Sequence, residues 1–246
     1  MKKINTILFD LDGTLLKFKQ TDFIEVYFKK LGKVFASINM DVEKSVKAVW
    51  AGTKAMVLND GACLNHERFW EAFSQVLSLP DEKQKLAESK CDEFYTKDFD
   101  EVKSVLAVGS TGADNVAKRL VQDAKNKGYT VALATNPLFP ECAIETRLSW
   151  IGLKPSDFTL VTHYSNSSFC KPNPGYYEEV LSKINKKPEE CLMVGNNVAE
   201  DMCAKALGME VFLVNEYIEN EAGLDISEFK QGTLDDFYAN FTLVGF

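Results

Sequence analysis

Two aspartates one residue apart, Asp10 and Asp12, follow a short apolar run and precede Gly13 and Thr14. Gly13 lets the chain turn at once, so both carboxylates can face one pocket. Clustered carboxylates repel, and a divalent cation relieves that repulsion. Asp10 is then suited to be an ionised nucleophile and Asp12 an acid/base partner. Further along stand Thr135-Asn136, Lys171-Pro172, and Gly195-Asn196 followed by Glu200 and Asp201. Thr135 and nearby backbone N–H groups suit a phosphoryl oxygen. Lys171 can neutralise both that group and the nucleophile.

These residues need elements that bring them together. Residues 4–10 read as a buried strand: short, apolar and β-branched. From about 21 to 98 only helical spacing is found, with Thr21, Asp41 and Asp81 as N-cap candidates. Then the chain alternates: helix 113–127, strand 130–135, helix 140–151, strand 158–162, helix 174–185, strand 191–194, helix 198–207 and strand 210–214. A final helix is expected near 233–240. Apolar strands alternating with helices make a parallel sheet covered on both faces. The expectation is an α/β fold, a doubly wound parallel sheet with an all-α insertion after its first strand. In such a sheet ligands bind outside the carboxyl ends of the strands. Asp10, Thr135, Lys171 and Asn196 all fall after strands, so they project to one edge.

The ordered set Asp10-x-Asp12-Gly13-Thr14, Thr135, Lys171-Pro172 and Gly195-Asn196 … Asp201 resembles the four motifs of the haloacid dehalogenase (HAD) superfamily. The helical insert directly after the first motif is similar to that superfamily's C1-type cap. The resemblance implies a Rossmann-like core over 1–18 and 100–246 and a cap over 19–99. It also implies a Mg2+-dependent phosphatase acting on a small phosphorylated metabolite. Asp10 would form an aspartyl-phosphate, and Asp12 would protonate the leaving oxygen and then activate water. Thr135, Asn136 and Lys171 would hold the phosphoryl group. Asp10, the Asp12 carbonyl, Asn196 and Asp201 would hold Mg2+. Asn196 departs from the family's usual Asp; its neutral oxygen suits Mg2+ but with less charge. A phosphomutase of the same fold and a non-catalytic HAD-like binding protein are the alternatives.

Other features carry less. The segment Gly109-Ser-Thr-Gly112 lacks the ending of a phosphate-binding loop and reads as a plain loop. Trp50 and Trp70 suit a core. His66 and His163 suit surface or cap positions. Lys54, Asn59, Asp60 and Asn65 lie in or beside a polar turn of the insert, within possible reach of a substrate.

Composition limits the partners. The chain has 246 residues, with 28 Lys+Arg against 36 Asp+Glu, a formal net charge of −8. Phosphate backbones demand clustered cations, so nucleic acid is not an expected partner. Neither is a membrane: no run approaches the roughly 20 apolar residues of a spanning helix. Asp10 and Asp12 interrupt what would otherwise look like a signal peptide. Six cysteines form no CxxC pair, which fits reduced thiols and a cytoplasmic setting. The oligomeric state stays open.

Overall fold

The computed structural model describes residues 4–106 and 115–243. Its centre is a six-stranded, all-parallel sheet in the order β3-β2-β1-β4-β5-β6. The strands are β1 (Thr6–Phe9), β2 (Thr130–Leu133), β3 (Leu160–Val161), β4 (Cys191–Gly195), β5 (Glu210–Val214) and β6 (Lys230–Gly232). β1 lies between β2 and β4, with Phe9 opposite Leu133 on one side and Val194 on the other. This register aligns the ends of the three strands that carry Asp10, Thr135 and Asn196.

Period-two alternation divides β1 between two apolar layers. Ile7 and Phe9 point to one, with Leu120, Leu133, Ile144 and Phe237. Leu8 points to the other, with Ala132, Val180, Met193 and Leu213. Helices α5 (Val116–Asn126), α6 (Glu141–Trp150) and α8 (Leu234–Leu243) serve the first layer, and α7 (Pro174–Ile184) the second. The doubly wound expectation is therefore met.

Four helices follow β1: α1 (Gln20–Ser37), α2 (Val42–Val57), α3 (Asn65–Leu77) and α4 (Asp81–Lys97). A 3-10 segment, Phe99–Val105, leads back to the sheet. Asp41 caps α2 as expected, its carboxylate accepting from Lys44 N at 2.9 Å. Thr21 instead lies inside α1, and α4 starts on Asp81 with Pro80 at the cap position. Phe23, Tyr27, Leu31 and Phe35 bury one stripe of α1. That stripe belongs to the same apolar cluster as Phe9 and Val194, so the insert packs continuously onto the sheet layer.

Two stretches differ from the sequence reading. Residues 198–207 form turns and then a 3-10 helix, Met202–Leu207, rather than an α-helix. Asn197 Oδ1 accepts from Ala199 N at 3.1 Å and Glu200 N at 2.9 Å, the pattern of a helix N-cap. Asp201 Oδ2 takes Asn197 N at 2.9 Å in return, and beyond this capped turn the chain closes 3-10 rather than α turns from Met202. Strand β6 was not anticipated; it is three residues long and lies at the sheet edge. The 109–112 loop lies outside the described residues. Among the described residues, no helix is long and apolar enough to cross a membrane.

Candidate active site

The chain turns immediately after β1. Asp10 N donates to Val194 O at 2.9 Å, extending the ladder one residue past the strand. Gly13 then adopts φ +77°, and its N–H donates to Leu16 O at 2.8 Å. A β-carbon at Gly13 would collide with the Asn196 side chain. Glycine is thus required twice, for the left-handed turn and for the close approach of the β4 loop.

Lys171 is the buried hub of the site. Its ammonium donates to Asp10 Oδ1 at 3.0 Å and to Asp201 Oδ1 at 2.6 Å. Burial alone would depress this lysine, but the two carboxylates outweigh it and hold its pKa well above the ordinary value. Burial pushes Asp10 up to about 8, against the pull of Lys171 and with Asp201 and Asp12 adding to the rise. Both Asp201 oxygens are engaged, one by Lys171 and one by Asn197 N. The carboxylate packs directly against Gly195, where a β-carbon would displace it.

Asp12 faces a different cation. Its Oδ2 accepts from Arg147 Nη1, a residue of α6. The guanidinium is fully buried and lies over the Phe139 ring, 4.5 Å from its centroid. Burial raises the Asp12 pKa and Arg147 opposes the rise. Asp12 Oδ1 is buried with no protein partner.

The remaining motifs are locked from behind. Thr135 O accepts from Thr162 Oγ1 at 2.6 Å and from Tyr176 OH at 2.9 Å. Asn136 Oδ1 accepts from Lys171 N at 3.2 Å, while its Nδ2 donates to Glu200 Oε2 at 2.9 Å. Burial lifts Glu200 to about 7 despite Lys171. Asn196 Oδ1 accepts from Thr14 Oγ1 at 3.0 Å, and its Nδ2 donates to Tyr217 O at 2.6 Å. A carbonyl can only accept, so the Tyr217 contact fixes the amide orientation.

Asp10, Asp12, Thr135, Asn136 and Asn196 line one polar cavity of about 510 Å³, together with Asn197, Glu200 and Glu219. Lys171 and Asp201 stand behind this wall, joined to it through Asp10. All the residues singled out from the motifs therefore meet at one sheet edge. Arg147 and Glu219 were missed. Arg147 sits mid-helix, 135 positions from Asp12, and no local pattern marks it. Glu219 is brought in by pairing with Asn197, whose Nδ2 donates to it at 2.9 Å.

The polar turn of the insert does not line this cavity. Lys54 and Asp60 are exposed, and Asp60 pairs with Arg68 at 3.3 Å. Asn65 is fully buried; its Nδ2 donates to Phe169 O at 3.2 Å and its Oδ1 accepts from Asn59 Nδ2 at 2.8 Å. These two asparagines pin the start of α3 to the loop that leads into Lys171. Trp70 is buried, whereas Trp50 is half-exposed and stacks on Phe28. His66 Nε2 donates to Glu88 Oε1 at 2.6 Å, away from the cavity lining.

A hard divalent cation fits the donor set. Every candidate ligand is an oxygen, and the Asp10 carboxylate and the Asn196 side chain line the same cavity. Among the described residues, no group of three or more His, Cys, Asp or Glu is placed to hold a metal alone. A cation site here depends on the Asn196 amide oxygen and backbone carbonyls as well as carboxylates.

A family model described as haloacid dehalogenase-like hydrolase matches residues 4–208. The rhythmically expressed gene 2 protein of Drosophila melanogaster is 25% identical over 248 residues, covering 92% of this chain and 90% of that one. The bifunctional riboflavin kinase/FMN phosphatase of Arabidopsis thaliana is 27% identical over 220 residues, 87% of this chain and 49% of that protein. Among solved structures, magnesium-bound YfnB of Bacillus subtilis superposes with a TM-score of 0.58 at 19% identity, covering 98% of this chain and all of that one (100%). That likeness concerns the fold.

Proposed function

Since the chain belongs to the haloacid dehalogenase-like hydrolases, we propose that it is a Mg2+-dependent phosphatase acting on a small phosphate monoester. The observation that carries this reading is the shared polar cavity. Asp10, bonded to Lys171, and Asp12, bonded to Arg147, both line it at the end of β1. The FMN phosphatase activity named for the Arabidopsis relative and the magnesium bound in YfnB support it.

In this mechanism Asp10 attacks phosphorus and becomes an aspartyl-phosphate. Lys171 holds Asp10 by one oxygen and neutralises charge on the nucleophile and the phosphoryl group. Arg147 fixes Asp12 by Oδ2, which leaves Oδ1 to carry the proton exchanged with the leaving oxygen. Burial raises the Asp12 pKa, which favours the protonated form that donation needs. Thr135 and the Asn136 backbone amide position the phosphoryl oxygens; Thr162 and Tyr176 keep the Thr135 main chain in place. Asp12 then takes a proton from the water that hydrolyses the intermediate. Mg2+ held by Asp10, the Asp12 carbonyl, Asn196 and Asp201 would supply positive charge toward the phosphoryl oxygens. Residues 1–18 and 100–246 form the catalytic core in this reading, and 19–99 the cap that excludes water.

Acid-quenching the enzyme during turnover of a ³²P-labelled monoester tests the covalent step. Label should be trapped on the chain and be absent from Asp10→Asn. Turnover with no label in either protein contradicts nucleophilic catalysis by Asp10.

A further inference from the structure

A second cavity, of about 800 Å³, adjoins the polar one. Its walls come from α1, α2, α3 and α4 and from the 138–140 segment. Gln20, Leu138 and Phe139 line both cavities, so the two share a wall. Among the described residues lining it, eleven of nineteen are aromatic and none is Asp, Glu, Lys, Arg or His. We infer that this cavity receives the leaving group, and that the substrate is a phosphate monoester of an uncharged apolar alcohol bearing an aromatic ring. The inference rests on the phosphatase reading above and names its substrate class.

The chemistry of the walls carries the argument. The phosphoryl group must reach Asp10, so the rest of the ester has to extend past Leu138 and Phe139. Tyr27, Tyr95 and Thr53 bond within the protein, whereas the Trp70 indole N–H in this wall is buried with no partner. The Tyr27 and Tyr95 hydroxyls bond to each other at 2.6 Å, and Thr53 Oγ1 donates to Val49 O at 2.9 Å. A sugar or a carboxylate entering here would lose its water and meet no charged side chain to replace it, a costly exchange. An aromatic ring would meet Phe23, Phe28, Phe69 and Phe139 in stacked or edge-on geometry. Trp50, 48% exposed and stacked on Phe28 at 5.1 Å, gives this aromatic lining a solvent-facing edge.

The test compares kcat/KM for ethyl phosphate, glycerol 3-phosphate and 2-naphthylmethyl phosphate with Mg2+ present. All three release alkyl alcohols, so intrinsic reactivity differs little. The naphthylmethyl ester should be favoured about 100-fold or more over the ethyl ester, since each buried methylene equivalent is worth about fourfold. Thr53→Glu should cut that ratio at least tenfold, with unchanged helical circular dichroism. Trp50→Ala, at the solvent-facing edge, should lower it too. Independently, 2-naphthylmethanol should change the tryptophan fluorescence of the parent protein without Mg2+. Equal kcat/KM for the three esters overturns the inference and leaves the phosphatase reading standing. A preference unmoved by either substitution, or no response to the alcohol, also overturns the cavity assignment. No phosphate release from any ester, p-nitrophenyl phosphate included, overturns both readings.

Discussion

At the scale of single residues, Asn196 and Arg147 decide how the two aspartates behave. Asn196 holds Tyr217 O through Nδ2 and accepts from Thr14 through Oδ1, the oxygen that the proposed mechanism also turns toward the cation. Asn196→Asp should lower the Mg2+ concentration for half-maximal activity about tenfold, because ligand charge tunes affinity. The same change should destabilise the metal-free protein by about 1–3 kcal/mol, since a carboxylate cannot donate to the Tyr217 carbonyl. An unaltered Mg2+ titration would remove Asn196 from the ligand set. Arg147→Met should cost about 3–5 kcal/mol in urea unfolding, because it strands the buried Asp12 carboxylate. A loss under about 1 kcal/mol would show that the ion pair contributes little beyond an exposed one. His163 predicts a pH effect. Burial holds its pKa below the ordinary value, and its Nδ1 is buried without a partner. The unfolded chain therefore binds more protons in that window, and stability falls as pH drops through about 6.5. His163→Gln should lose less stability than the parent between pH 8 and pH 5; equal losses in urea midpoints would contradict this. Arg147 also shows why part of the site was not legible. Asp10, Thr135 and Asn196 stand within two residues of strand ends, so sequence reveals them, whereas Arg147 reaches Asp12 only through the packing of α6.

At the scale of elements, the tie between α3 and the loop before Lys171 is the junction to probe. Asn65 N donates to Ser167 O and His66 N to Tyr164 O, both at 2.9 Å, while Asn65 Nδ2 reaches Phe169 O. Asn65→Leu should destabilise by roughly 2 kcal/mol through the unpaired Asn59 and Phe169 groups it leaves. It should also raise KM more than it lowers kcat, since it loosens the insert rather than the reacting groups. Unchanged stability and KM would mean that backbone bonds alone hold this junction. The strands and amphipathic helices were legible because burial imposes periods of two and near four on their sequences. The 198–207 stretch is helical but 3-10 over Met202–Leu207, and apolar spacing over so few residues does not separate the two kinds of turn. Asn59 and Asn65 read as a polar turn near a substrate; their bonds run into the protein, where spacing gives no hint of a partner 104 residues away.

At the scale of the whole molecule, the two cavities divide the labour. One is polar and carries the two aspartates of β1; the other is aromatic and belongs largely to the insert. A phosphate ester spanning both would place its charge at the sheet edge and its apolar part under the helices, out of water. The net charge of −8 would oppose an anionic substrate at long range, and Lys171 and Arg147 answer it locally. The central claim is that Asp10 performs metal-dependent phosphoryl transfer. It is tested most directly by phosphate release from p-nitrophenyl phosphate with excess Mg2+, with EDTA, and by Asp10→Asn beside the parent. Turnover that needs Mg2+ and disappears in Asp10→Asn is the predicted result. Turnover that survives EDTA or the Asp10 substitution, or none under any of these conditions, would contradict it.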